Sequence, residues 1–210
     1  MPRQDVVFVV DRSGSMDGKE EDTCGGINTA LNEIKRSKTA DDTIRVSIKL
    51  FDNEEIMLTR RQDIASCDSF KREDFKPRGS TALYDAIGHT LKYFMELKLL
   101  DPSAYDTCIV YCATDGLENT SRYFTARSLK ELIEAAEKTY KITVMYIGSN
   151  QDAILEAGRI GISQDCAMNY SETAENVGAA YRSMACAAQR TRTQGSRGFL
   201  ESERQESTQH

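Results

Sequence analysis

Three short stretches of the chain hold the residue types that grip a hard cation. Asp11-Arg12-Ser13-Gly14-Ser15-Met16 spaces one aspartate and two serines by two positions. Alternate side chains of an extended or turning loop point the same way, so these three oxygens can converge. Gly14 permits a tight backbone between them. Thr114-Asp115-Gly116 supplies a second carboxylate. A third loop, Gly79-Ser80-Thr81-Ala82-Leu83-Tyr84-Asp85, places Thr81 where either a helix N-cap or a metal ligand would sit. Taken alone, Thr81 reads more simply as a cap. Two carboxylates with several hydroxyls make a hard oxygen site of low formal charge. Such a site suits Mg²⁺, which needs near-octahedral oxygen geometry at about 2.0–2.1 Å and usually keeps water or an outside ligand. Mn²⁺ is the natural substitute. No His or Cys lies in these loops, which argues against zinc.

The surrounding pattern says how these loops are positioned. Residues 6–10 (VVFVV), 107–113 (TCIVYCA) and 142–147 (ITVMYI) are apolar runs of the kind found in strands covered on both faces. Residues 45–51 alternate as a half-exposed strand, and 55–59 return after Asp52-Asn53 as a hairpin partner. Residues 60–80 read as a loop with one helical turn. Helical spacing marks 23–38, 82–99, 124–139 and 173–190, with a short helix at 151–159 and a weak strand near 166–169. The alternation predicts an α/β fold with a doubly wound, mostly parallel central sheet, one antiparallel edge strand and helices on both faces. In such sheets ligands bind beyond the carboxyl ends of the strands. The Asp11 and Asp115 loops each follow an apolar strand, so both arrive at that edge.

Length predicts one domain over residues 1–190. From 191 to 210 the residues turn polar and charged, with only Phe199 and Leu200 strongly apolar, and a disordered tail is expected. The formal charge of −6 argues against a nucleic-acid partner. No apolar run reaches membrane-spanning length, so no membrane partner is expected. The 6–10 run is too short for a signal-peptide core, and the expected setting is cytoplasmic. Six cysteines without a CxxC pair read as reduced, mostly buried thiols. Cys108 and Cys112, four apart on one strand, would stand roughly 13 Å from each other, beyond disulfide reach.

Asp-x-Ser-x-Ser after a VVFVV strand, Gly-Ser-Thr before a helix and Thr-Asp-Gly after a later strand resemble the metal-ion-dependent adhesion site of von Willebrand factor A domains. The pieces fall in that family's order, and the likeness covers roughly residues 5–190. The segment Tyr146-Ile147-Gly148-Ser149-Asn150-Gln151-Asp152-Ala153, Gly161-Ile162 and Ala82-Leu83-Tyr84-Asp85-Ala86-Ile87 look like stand-alone members of that family, here of intracellular type. The resemblance implies Asp11, Ser13, Ser15, Thr81 and Asp115 as the metal set. It implies that the two serines bind the metal directly, and that Thr81 and the aspartates act directly or through water. It also implies that the sixth position takes an Asp or Glu carboxylate from a partner protein. The oligomeric state is not encoded in any of these features.

Binding fits this composition better than catalysis. Hydrolysis would need a general base or an activated nucleophile beside the metal. The two histidines are His89, inside a helix, and His210, in the tail, and neither is in a motif loop. The main rival is Mg²⁺-dependent phosphoryl transfer through Asp11 as nucleophile. That pattern wants a second Asp two positions on, where this chain has Ser13. A metal-independent scaffold is the other rival. The sequons at Asn119 and Asn169 read as chance matches.

Overall fold

The computed structural model describes residues 1–149 and 153–208. Asn150, Gln151 and Asp152 of the Tyr146-to-Ala153 segment lie outside the described residues, as does His210. Six strands form one sheet: β1 (Arg3–Asp11), β2 (Thr43–Phe51), β3 (Glu55–Asp63), β4 (Thr107–Thr114), β5 (Ile142–Gly148) and β6 (Ala167–Asn169). Their order is β3-β2-β1-β4-β5-β6. Every neighbouring pair is parallel except β2 with β3. The predicted mostly parallel sheet with an antiparallel edge is therefore present.

The apolar runs explain the central strands. Val6, Val7, Val9 and Val10 are all fully buried, and so are Cys108, Ile109, Val110 and Tyr111 of β4. A strand buried on both faces gains nothing from polar alternation and needs a helical layer on each side. The helices are α1 (Glu20–Ser37), α2 (Leu83–Leu100), α3 (Ala126–Tyr140), α4 (Ala153–Arg159), α5 (Ala174–Gln194) and α6 (Glu201–Glu206). They cover the sheet on both faces, with α1 packed on α5 and α2 on α3. Ile27, Leu31 and Ile34 of α1 are buried at helical spacing. Each contributes about 1.5–3 kcal/mol of apolar burial.

Strand order places the functional edge. The chain runs from β1 outward to β2 and β3, then returns to the other side of β1 as β4. The direction of winding reverses between β1 and β4, and a crevice opens beyond their carboxyl ends. The two carboxylate loops leave the sheet at that switch point.

Two expectations are corrected. β3 continues to Asp63, where a loop from residue 60 was expected. The pairing passes through register shifts opposite Val46, Ile48 and Lys49, and Arg61 takes a left-handed φ of 48°. Its guanidinium holds the buried Asp5 through two hydrogen bonds of 2.9 Å. The polar run Thr59-Arg60-Arg61-Gln62-Asp63 hides this strand because its anchor is an ion pair rather than an apolar stripe.

The second correction concerns residues 191–208, which are ordered rather than a loose tail. Helix α5 runs on to Gln194 and stops at Gly195, whose φ of 67° suits glycine. Buried Arg192 meets Gln4 at 3.0 Å and Asp42 at 3.2 Å. Phe199 is buried, and Arg190 grips Glu203 through bonds of 2.7 and 2.8 Å. Phe199 and the bidentate pair dock the segment together with buried Ser207, whose hydroxyl donates to Asn169 O at 2.8 Å, contacts that leave little trace in composition. Among the described residues no helix is long and apolar enough to cross a membrane. None of the six cysteines is disulfide-bonded; five are buried and Cys186 is exposed.

Candidate metal centre

The register Val10↔Ala113 sets Asp11 beside Thr114 at the ends of β1 and β4. The Thr114 hydroxyl donates to Asp11 Oδ2 at 2.6 Å, and the Ser13 amide donates to Asp11 Oδ1 at 2.7 Å. A single 3-10 turn, Gly14–Met16, then folds the loop back. It brings Ser13 Oγ within 3.1 Å of Ser15 Oγ, and the Ser15 hydroxyl donates to Asp115 Oδ1 at 2.7 Å. Asp11, Ser13, Ser15 and Asp115 thus form one continuous polar cluster built from two strand ends.

Thr81 joins that cluster from the third loop. It is 3% exposed. The cap position of α2 belongs to Ala82, and no side chain caps it, so Thr81 is not an N-cap. A Cβ added to Gly116 would lie 3.2 Å from Thr81 Oγ1, 3.5 Å from Ser15 Oγ and 3.7 Å from Asp11 Oδ2. Oxygens from all three loops therefore surround one small space, which glycine at position 116 keeps open. Among the described residues the Thr81 hydroxyl makes no hydrogen bond.

The loops are fastened to each other through their backbones. The Gly14 amide donates to Gly79 O at 3.2 Å, and the Arg78 amide donates to Arg12 O at 2.8 Å. Gly79 has a φ of 68°, which lets the second loop turn against the first. The Thr81 amide donates to Asn119 Oδ1 at 3.0 Å, and the Asn119 amide returns to Thr81 O at 3.1 Å. Buried Asp52, at the end of β2, holds Arg12 at 3.1 Å and Arg78 at 2.9 Å. Ala82 donates its amide to Asp52 O at 3.0 Å.

The electrostatics favour a cation. Burial raises the Asp11 pKa above its ordinary value, and the charge on Asp115 adds to that rise. Neutral donors oppose the shift without cancelling it. Among the described residues no Lys or Arg reaches Asp11 within ion-pair distance. Asp115 does have a cation: Lys19 Nζ lies 2.7 Å from its Oδ2 and 2.5 Å from Glu172 Oε1. Burial alone would lower the Lys19 pKa, and its bonds to Asp115 and Glu172 raise it instead. Among the described residues no group of three or more His, Cys, Asp or Glu side chains is arranged to hold a metal. This cluster has two carboxylates and relies on hydroxyls for the rest. That donor set is hard and oxygen-only, and it fits Mg²⁺ or Mn²⁺ rather than a softer ion.

All five residues singled out in the sequence come together at this edge. Sequence reasoning missed Lys19, Asp52, Asn119 and Glu172. Asp52 was findable, because it follows β2 at the same carboxyl edge. Asn119 looked like a chance sequon, and its partner Thr81 lies 38 positions away. His89 lies on α2, where Nδ1 stands 2.6 Å from Glu55 Oε1 and the ring packs on Tyr123 and Phe124.

No protein-family model matches the sequence, and no curated protein matches it either. Solved structures do match its fold. The chain is similar to a von Willebrand factor type A structure from Catenulispora acidiphila, with a TM-score of 0.62 and 17% identity over 90% of this chain and 43% of that one. It is similar to the vWF domain of the type V pili tip protein Mfa5 from Porphyromonas gingivalis, with a TM-score of 0.67 and 12% identity over 96% of this chain and 99% of that one. The manganese-loaded TRAP protein of Plasmodium vivax matches with a TM-score of 0.58 and 16% identity over 80% of this chain and 68% of that one. The chain spans about half the length of the first solved structures it matches. At these identities the likeness establishes the fold, which is that of a von Willebrand factor A domain.

Proposed function

We propose that this von Willebrand factor A-type fold is a divalent-metal-dependent protein-binding module. Asp11, Ser13, Ser15, Thr81 and Asp115 would hold Mg²⁺, or Mn²⁺ in its place. The observation that carries this reading is the meeting of Thr81 Oγ1, Ser15 Oγ and Asp11 Oδ2 around the space beside Gly116. The manganese carried by the TRAP neighbour supports a divalent ion in this fold.

When bound, the metal supplies a strong positive centre that accepts one more anionic oxygen. The two carboxylates do no more than match the charge of a divalent ion and the other donors are neutral hydroxyls, so the metal can still take one more anionic oxygen. An Asp or Glu side chain from a partner protein is the anion that fits such a contact. The chain's own residues orient the donors and hold the loops together. Pilus and adhesin structures among the neighbours support a role in protein contact.

The chemistry of the site supports binding rather than turnover. Asp11 is fully buried, and both of its oxygens accept hydrogen bonds, which disfavours in-line attack on a phosphoryl group. His89 is engaged with Glu55 and two aromatic rings. Six cysteines outside any disulfide support a reducing, cytoplasmic setting.

Titration calorimetry with Mg²⁺ and Mn²⁺ tests the proposal. One site is expected on the intact chain, lost in Asp115→Ala and weakened at least tenfold in Thr81→Ala, a change of about 1.4 kcal/mol. Capture of an acidic partner should then disappear in EDTA. Partner capture unaffected by EDTA would favour a metal-independent scaffold instead.

A further inference from the structure

Lys19 is an unusual residue for its place. It is the N-cap of α1, and the next three residues are Glu20, Glu21 and Asp22. A helix N-terminus favours anions, and those three carboxylates complement it. A cation there needs a separate stabilising contact. Gly18, at a φ of 83°, turns the chain so that Lys19 faces the crevice, and backbone bonds at Met16 O and Thr23 N fix its position. Its ammonium lies between two carboxylates of different character. The Asp115 side chain is 3% exposed and belongs to the metal set, whereas the Glu172 side chain is 52% exposed and faces solvent. Glu172 is itself held in place, because it immediately precedes Thr173, which caps α5 by accepting from the Asn176 amide at 3.3 Å.

Resting on the metal-centre reading, we propose that Lys19 is a tethered counter-cation. It neutralises Asp115 when no divalent ion is bound and competes with that ion for the carboxylate. Glu172 is the place to which its ammonium withdraws. Metal affinity is then set by an exchange of cations rather than by the oxygen donors alone. Lys19 guards the metal-free fold against repulsion between Asp11 and Asp115. It also raises the metal concentration at which the module becomes competent to take an acidic partner.

The exchange makes two substitutions act in opposite directions. Lys19→Met removes the competitor and should tighten Mg²⁺ and Mn²⁺ binding about tenfold, the scale expected for one charge a few ångströms away in a partly solvated site. Glu172→Gln removes the withdrawal position and should weaken binding a few-fold. In the double variant the Glu172→Gln effect should vanish, because no ammonium remains to be held. Lys19→Arg keeps the charge and should stay within about threefold of the parent. Melting in EDTA gives a second readout: Lys19→Met should melt lower than the parent without metal and gain more from saturating metal. Calorimetric titration of the full chain and its four variants with MnCl₂ decides the matter. Unchanged or weaker binding in Lys19→Met overturns the counter-cation, as does a Glu172→Gln effect of equal size in both backgrounds. A parent chain that takes up no metal overturns the metal-centre reading and the counter-cation with it. A parent that binds while Lys19→Met behaves identically overturns the counter-cation alone.

Discussion

Asp11 carries an electrostatic conflict. Its carboxylate is fully buried and receives only neutral donors, and Asp115 adds like charge nearby. Its pKa is raised in the folded state, so its contribution to stability is largest when it is protonated and is lost as pH rises through the raised value. At neutral pH without metal, Asp11 therefore works against folding. Asp11→Asn keeps the shape and one acceptor, for the Ser13 amide, and removes the charge; its NH2 group faces the Thr114 hydroxyl, which can turn to accept. In EDTA at neutral pH this variant should be more stable than the parent by about 1 kcal/mol, or several degrees in Tm. In saturating Mg²⁺ the order should reverse. Thermal melts with and without EDTA check both signs, and a parent that outlasts Asp11→Asn in EDTA would remove this view of the site. Much of the cluster is legible from local spacing, because Asp11, Ser13 and Ser15 sit within one loop. Thr81 is ambiguous in sequence, since a hydroxyl before a helix serves a cap as well as it serves a metal. Only the packing of its loop against Gly116 separates the two. The Lys19–Glu172 pair spans 153 positions and leaves no local trace.

The helices hold the crevice through close packing, as α1 against α5 shows. A Cβ on Gly26 would meet three ring carbons of Tyr181 at 2.4, 2.7 and 2.9 Å. Tyr181 is buried and has no room to withdraw freely. Gly26→Ala should therefore cost roughly 1–3 kcal/mol through overpacking. Gly25, its neighbour on α1, meets nothing within 4 Å. Gly25→Ala should instead stabilise by up to about 1 kcal/mol from helix propensity. Urea denaturation of the pair measures both, and equal effects would contradict the packing account. The central strands and long helices were readable because continuous apolar runs and helical spacing report burial directly. The second half of β3 and the 195–208 segment were not. Both are held by ion pairs, Asp5 with Arg61 and Glu203 with Arg190, at positions that look solvent-facing in a linear reading.

Sheet topology turns these local facts into a site. Outward winding from β1 to β3 and return to β4 puts Asp11 and Asp115 at one switch point, and the loop before α2 lies across them. The chain's net charge of −6 is compatible with a cation at that edge, though only the local cluster localises it. A ligand that binds only the folded chain stabilises it by mass action, about 2.7 kcal/mol at a hundredfold excess over Kd. The fold class followed from the alternation of strands and helices, whereas the cation's place depends on three loops meeting in space. Anomalous diffraction from crystals grown with MnCl₂ tests that meeting most directly. A single strong manganese peak is expected among Asp11, Ser13, Ser15, Thr81 and Asp115, beside Gly116. Crystals that show no manganese there, or show it only elsewhere on the surface, would contradict the metal centre.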